Sequence, residues 1–283
     1  MQAGIKRKLH ELFKLIDADT VLIANTSLEQ PYFYYFTQLP YGRFAGNVLL
    51  LKRHSKPLII SNILQADVIS AYGWNVVSAD TGKEFFELLR ENIDGEQLGI
   101  NYAEINIALF RKLKKELKVK LFDVRAHLEK LRETKTEEEI KLIKRACAIA
   151  ERLLEGIPNL FIRGMTESEL ANLLEIEMKL LGLEPAFAVI VASAEHAGIP
   201  HYVPQNVKIK KGFLLVDLGV RYRNYCSDLC RTFYFGRAKQ KDKSLYETVF
   251  SAKEIVENGM KAGIETCKLF NSASDFLRKA GFT

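Results

Sequence analysis

The 283 residues contain only four cysteines, one tryptophan and five histidines. Cys147, Cys226, Cys230 and Cys267 are too few and too scattered for a disulfide framework in a chain of this size. No apolar run nears the ~20 residues of a membrane span; Asn47–Leu51 is among the longest. Residues 1–15 lack the apolar core of a secretory signal, so the expected location is cytoplasmic. No Gly-x-Gly-x-x-Gly fingerprint follows a strand-like segment, which argues against a dinucleotide-binding unit. The net charge of +6 is spread thinly and punctuated by glutamates, with short basic runs at 6–8, 112–120 and 208–211. That pattern describes solvated faces, and no nucleic-acid or membrane partner is expected. With 48% hydrophobic and 27% charged residues, the chain has ample material for a packed core.

Residues 1–126 read as alternating α and β elements. Helices are expected at 4–15, 65–71, 82–92 and 103–117, and strands at 20–25, 47–51, 57–61, 98–101 and 120–124. A new element opens at Thr136, which with Glu139 forms a capping-box signature. The following helix carries Ile140, Ile143, Cys147, Ala150 and Leu154 at helical spacing, and Pro158 and Gly164 are expected to end it. Thr166 and Glu169 repeat the signature before a helix that Gly182 stops. A strand at 186–192, a histidine-containing loop, a hairpin and helices at 244–262 and 268–279 complete the second domain, 127–283.

The hairpin carries the chemistry. Asp217 and Asp228 lie eleven positions apart, each in a β-prone apolar run where an unpaired carboxylate is costly. A hairpin symmetric about the Tyr222–Arg223 peptide bond sets them directly opposite, with Cβ atoms about 4.5–5.5 Å apart. Two bare carboxylates that close repel unless one is protonated or a cation lies between them. A bland alternative pairs each with Arg221, Arg223, Arg231 or Arg237. A second chemical alternative shares one proton between the two carboxylates, as aspartic peptidases do. Cys226 and Cys230 are about 13 Å apart on a regular strand, too far for one tetrahedral zinc, and read as packing residues. His196 and His201 bracket a Gly- and Pro-containing loop suited to lining a cleft.

These segments together resemble the creatinase and aminopeptidase P metallopeptidases of the pita-bread fold, particularly Xaa-Pro dipeptidases (prolidases). Leu131-Arg-Glu-Thr-Lys-Thr-Glu-Glu-Glu-Ile140 is similar to the entry to their catalytic domain, and Gly164-Met-Thr-Glu-Ser-Glu-Leu170 to their second helix. Gly198-Ile-Pro-His201 resembles their Pro-His loop. Val216-Asp-Leu-Gly219 and Cys226-Ser-Asp-Leu-Cys-Arg-Thr-Phe233 resemble their two aspartate strands. The resemblance implies a creatinase-like α/β N-terminal domain and an α+β pita-bread catalytic domain. It implies two divalent cations, manganese or cobalt foremost and zinc or iron as alternatives, with Asp217 binding one and Asp228 bridging both. It makes His201 the substrate-binding and transition-state-stabilising group; His196 has no counterpart in the motif. The implied reaction is hydrolysis of a peptide or Xaa-Pro dipeptide by a metal-activated hydroxide, and a complete chain would form a homodimer.

The same resemblance exposes a departure. Family members supply a further His in a His-Gly-x-Gly-His segment and two Glu, in Glu-Pro-Gly and Arg-Ile-Glu-Asp segments; here no His follows His201. A C-terminally incomplete pita-bread domain, lacking three ligands, the general base and two strands, is therefore expected. Such a chain would have exposed sheet edges and little or no peptidase activity. A non-catalytic pita-bread binding protein is the alternative.

Overall fold

The computed structural model describes residues 3–26 and 30–282 and separates into two compact units. The first comprises 1–148 with 221–227, the second 149–220 with 228–283.

In the first unit, α1 (Ala3–Leu15), β1 (Thr20–Asn25), α2 (Pro31–Thr37), β2 (Asn47–Lys52), β3 (Leu58–Ser61), α3 (Ile63–Ala71) and β4 (Val76–Ser78) come first. They are followed by α4 (Gly82–Asn92), β5 (Gln97–Ile100), α5 (Ile107–Glu116), β6 (Lys120–Asp123) and α6 (Arg125–Glu133). The strands form a mixed sheet ordered β4-β3-β2-β1-β5-β6. β1 pairs antiparallel to β2, with Ile23 opposite Leu49, and parallel to β5, with Leu22 opposite Ile100. Alternation along the strands builds two cores. Val21, Ile23, Leu49, Leu51 and Ile59 pack with Leu9 and Leu12 of α1, Phe33 and Phe36 of α2 and Leu128 of α6. Leu22, Leu50, Ile60, Leu98 and Ile100 pack with Phe86 and Leu89 of α4 and Leu113 of α5. A sheet covered on both faces needs apolar residues at successive positions, which is why these strands read as continuous apolar runs.

Three elements escape the sequence reading: α2, β4 and α6. α2 is Pro-Tyr-Phe-Tyr-Tyr-Phe-Thr, whose aromatic and β-prone composition hides a helix that Pro31 starts. It persists because the residues from Tyr32 to Thr37 are all buried, so tertiary packing overrides propensity.

Helix α7 (Glu137–Leu160) starts in the first unit and ends in the second. Its capping box is formed: Glu139 N–H donates to Thr136 Oγ1 at 3.2 Å, and Thr136 N–H to Glu139 Oε2 at 2.7 Å. Pro158 does not end it. The helix runs on to Leu160 with the proline in its last turn, where only one backbone donor is forfeited.

In the second unit α8 (Glu167–Leu180) begins with the other capping box. Then come β7 (Glu184–Pro185), β8 (Ile190–Ser193), a 3-10 turn (Ala194–Gly198), β9 (Gly212–Leu218), β10 (Val220–Tyr222), β11 (Tyr225–Cys226) and β12 (Leu229–Phe235). Helices α9 (Gln240–Gly259) and α10 (Thr266–Lys279) follow. β12, β9 and β8 form an antiparallel sheet with β9 central. Leu214, Val216 and Leu218 are buried, as are Leu170 and Leu174 of α8 and Leu153 and Leu154 of α7.

A Cβ on Gly99 would lie 2.6 Å from Val124 Cγ1 and 3.1 Å from Val21 Cγ2, both on stiff β-branched side chains. Gly99→Ala is expected to cost about 1–3 kcal/mol, measured by denaturant unfolding. Lys8 donates to Tyr35 O at 2.7 Å, and burial outweighs the nearby Glu139 to lower its pKa to about 8. The unfolded chain therefore holds a proton on Lys8 that the folded one releases between about pH 8 and the ordinary value of 10.5. Lys8 disfavours folding most below pH 8, and that cost is relieved as pH rises through this window. Lys8→Met should lose this rising component, seen as a difference in unfolding free energy between the two proteins from pH 7 to 10.5.

Candidate metal centre

Asp217 owes its position to strand alternation. Leu214, Val216 and Leu218 turn into the core, so Phe213, Leu215 and Asp217 lie on the opposite face of β9. The residue opposite Asp217 on β12 is Cys230, not Asp228, and on β8 it is Ile190. This corrects the expected register. The turn is centred on Arg223 and Asn224, with φ of 47° and 67°, and Tyr222 opposes Tyr225. A two-residue hairpin turn of type I′ needs positive φ at both central positions, and Asn tolerates it best after Gly. Asn224 Nδ2 also donates to Leu39 O at 2.8 Å. Moving the turn by one residue moves the pairing by two, so Asp228 falls in the interruption between β11 and β12.

The two aspartates still interact. Burial raises the Asp217 carboxyl above its ordinary range, the Asp228 charge raises it further, and the His201 imidazole works in the opposite sense. Asp217, Asp228 and His201 thus share one electrostatic neighbourhood. Asp217 Oδ1 is buried with no hydrogen-bond partner. Neighbouring arginines are engaged elsewhere: Arg231 reaches Glu151 at 3.9 Å, and Arg221 lies 3.7 Å over the Tyr41 ring. An orphaned carboxylate oxygen beside a second carboxylate is the donor chemistry of a hard or borderline divalent cation, and the pair fits two ligands of such an ion. Among the described residues, no group of three or more His, Cys, Asp or Glu is arranged to hold one. Cys230 adds no thiolate: partial burial and the Asp217 charge push its thiol up to about 11.

His201 is exposed, in the loop after the 3-10 turn, with φ of 53°. His196 is elsewhere occupied. Its Nδ1 lies 2.9 Å from Glu167 Oε1, and its ring stacks on Tyr202 with centroids 4.6 Å apart. Glu167 is the residue that sequence reasoning missed. It sits between the two members of a capping box, where a glutamate reads as an exposed first-turn acid. Yet it is fully buried, and its partners lie 26 to 38 positions further on.

Residues 141–283 match the model of metallopeptidase family M24, and residues 6–134 that of the creatinase/prolidase N-terminal domain. The chain belongs to metallopeptidase family M24. It is 30% identical to the Xaa-Pro dipeptidase of Pyrococcus horikoshii over 279 residues, covering 98% of this chain and 77% of that one. The prolidase structure from the same organism superimposes with a TM-score of 0.84 at 28% identity, over 97% of this chain and 78% of that chain. The X-Pro aminopeptidase of Thermotoga maritima gives 0.84 at 26% identity, over 95% and 78%. The fold is a creatinase-type N-terminal domain followed by an M24 pita-bread domain, as the resemblance implied. Membership of M24 makes the chain a metallopeptidase by family, and divalent cations the implied cofactor.

The orphaned oxygen leads to a direct test. Manganese at ten times its dissociation constant should stabilise the protein by about 1.4 kcal/mol, a rise of about 2–4 °C in melting temperature. Asp217→Asn should abolish the rise. Scanning calorimetry with and without the ion reads both.

Proposed function

We propose that this chain is of the metal-dependent Xaa-Pro dipeptidase or aminopeptidase type, weakly active or inactive as these 283 residues stand, with Asp217 and Asp228 as ligands and His201 as the substrate-binding group. The observation that carries the reading is the buried, partnerless Asp217 Oδ1 beside a second carboxylate. A structural aspartate would have acquired a donor; one kept for a cation has none until the ion arrives. Manganese or cobalt suits the oxygen donors, and zinc or iron is compatible with them.

A pair of bound cations would lower the pKa of water and polarise the scissile carbonyl. The chain's own residues supply the rest. Asp217 holds a carboxylate where burial and the charge of the exposed Asp228 beside it both disfavour ionisation, so a cation is drawn to the pair. His201 brings a ring N–H or a positive charge to their neighbourhood, placed to donate to a substrate oxygen. The names of the relatives favour a dipeptide or peptide with proline after its first residue.

Two carboxylates with no third ligand among the described residues hold a divalent ion weakly. This feature favours a second reading, a non-catalytic binding protein on the same fold. Titration with manganese, followed by calorimetry, separates the two: the peptidase reading expects weak, saturable uptake that Asp217→Asn abolishes, and the binding-protein reading expects none.

Little or no turnover of Xaa-Pro dipeptides is expected from the 283-residue chain, even with manganese or cobalt supplied. Steady hydrolysis that Asp228→Ala abolishes would overturn that expectation and establish the two carboxylates as a working centre. Where turnover is measurable, His201→Ala should lower kcat/KM by about 10²–10³.

A further inference from the structure

The loop that carries His201 is gripped from inside its own domain by one carboxylate. Glu167 opens α8 and is fully buried. Its Oε1 accepts from Ser193 N–H and Ser193 Oγ, both at 2.8 Å, and lies 2.9 Å from His196 Nδ1. Its Oε2 accepts from Tyr202 Oη at 2.7 Å and from Gln205 N–H at 3.4 Å. Burial works to raise this carboxyl, but hydrogen bonds from His196, Tyr202 and Ser193 outweigh it and hold it below its ordinary range. Position also helps, because the first turn of a helix favours negative charge.

The contacts fall on both sides of His201, at Ser193 and His196 before it and at Tyr202 and Gln205 after it. The first turn of α8 adds backbone bonds to the chain beyond: Ser168 N–H to Gln205 O and Glu167 N–H to Val207 O, both at 3.1 Å. Ser168 Oγ donates to Pro204 O at 3.0 Å. Between these anchors His201 follows Pro200 and holds a left-handed backbone, φ 53°. A residue with a side chain stays in that region only where its surroundings over-determine it. Tyr202 is the adjoining residue, fixed by its hydroxyl and by the stack on His196.

We infer that Glu167 is a positioning residue for His201: its carboxylate pins Tyr202 and His196, and through Tyr202 fixes the direction in which His201 presents its imidazole. The inference rests on His201 as the substrate-binding group, and it predicts more than a loss of stability. A merely structural Glu167 would change the melting temperature on substitution while the folded protein kept His201 where it is.

The test uses the full chain with 13C-labelled histidine, whose five side chains contribute one Cε1–Hε1 signal each, assigned by His→Ala substitution. Tyr202→Phe removes one hydroxyl, with its contacts to Glu167 Oε2 and to His196 Nδ1, and leaves in place the bonds that Glu167 accepts from Ser193. Glu167→Gln keeps the size but replaces one accepting oxygen with a donor. In both variants the His201 signal is expected to move toward an exposed, averaged position, while those of His10, His54 and His127 stay put. Affinity for the dipeptide Ala-Pro, measured by calorimetry with manganese present, should weaken about tenfold. A His201 signal unmoved in folded Tyr202→Phe overturns the inference; should Glu167→Gln not fold, Tyr202→Phe decides alone. If the signal moves but His201→Ala binds Ala-Pro as the parent does, the clamp stands and the assignment of His201 to substrate falls.

Discussion

Strand β9 can satisfy only one face with apolar packing, and the rest of the second unit is arranged around that constraint. Leu214, Val216 and Leu218 turn inward, so the residue between Val216 and Leu218 must turn outward, and it is an aspartate. With β9 central in its sheet, neither edge is free to bring water to the Asp217 backbone, and one oxygen of its side chain is buried without a donor. Half-burying a carboxylate in this way disfavours its charged form unless an opposite charge compensates it. Asp228 adds to the cost, since its charge raises Asp217 further. On the proposed reading that cost is what draws a cation to the pair, which agrees with membership of a metallopeptidase family.

The hairpin shows how a small local preference decides the geometry of a site. Arg223 and Asn224 both take positive φ, and the ladder counted from them sets Cys230, not Asp228, opposite Asp217. Asp228 is thereby freed from the ladder and lies between strands, where its carboxylate is not committed to the cross-strand face. The tip is also held within the first unit, to which residues 221–227 belong. Asn224 donates to Leu39 O, and Tyr225 Oη to Glu139 Oε1 at 2.9 Å. Glu139 therefore serves both its own capping box and the hairpin tip.

Glu167 plays the corresponding part for the histidine loop. An acid at the start of a helix ordinarily faces water and gains a few tenths of a kcal/mol from the helix dipole. Here it is fully buried and meets five donors, and the loop from Ser193 to Gln205 is wrapped around it. Most of those bonds are charge-assisted and short, which is the strong kind. On the proposed reading a rigid loop matters, because a group that binds substrate is best held before the substrate arrives rather than ordered by it.

What was legible in the sequence was whatever depends on local pattern. The strands of the first unit other than β4, helix α4, both capping boxes and the order of an α/β part before an α+β part follow from apolar periodicity and from Thr and Glu three positions apart. Asp217 stood out because a carboxylate in an apolar run is anomalous wherever the chain folds. Helix α2 was hidden, since its aromatics favour strand and only burial makes them helical. The hairpin register was missed by two residues although Asn224 was a visible signal for the turn. Glu167 could not have been found at all: its partners lie 26 to 38 positions on, and nothing in a local window distinguishes a buried hub from an exposed first-turn acid. Period and propensity are local, so residue order alone showed that Asp217 interrupts an apolar run and lies on the face of β9 opposite Val216 and Leu218. Only the tertiary structure decided which residues meet there, because register, burial and long-range hydrogen bonds depend on the packing of the whole chain.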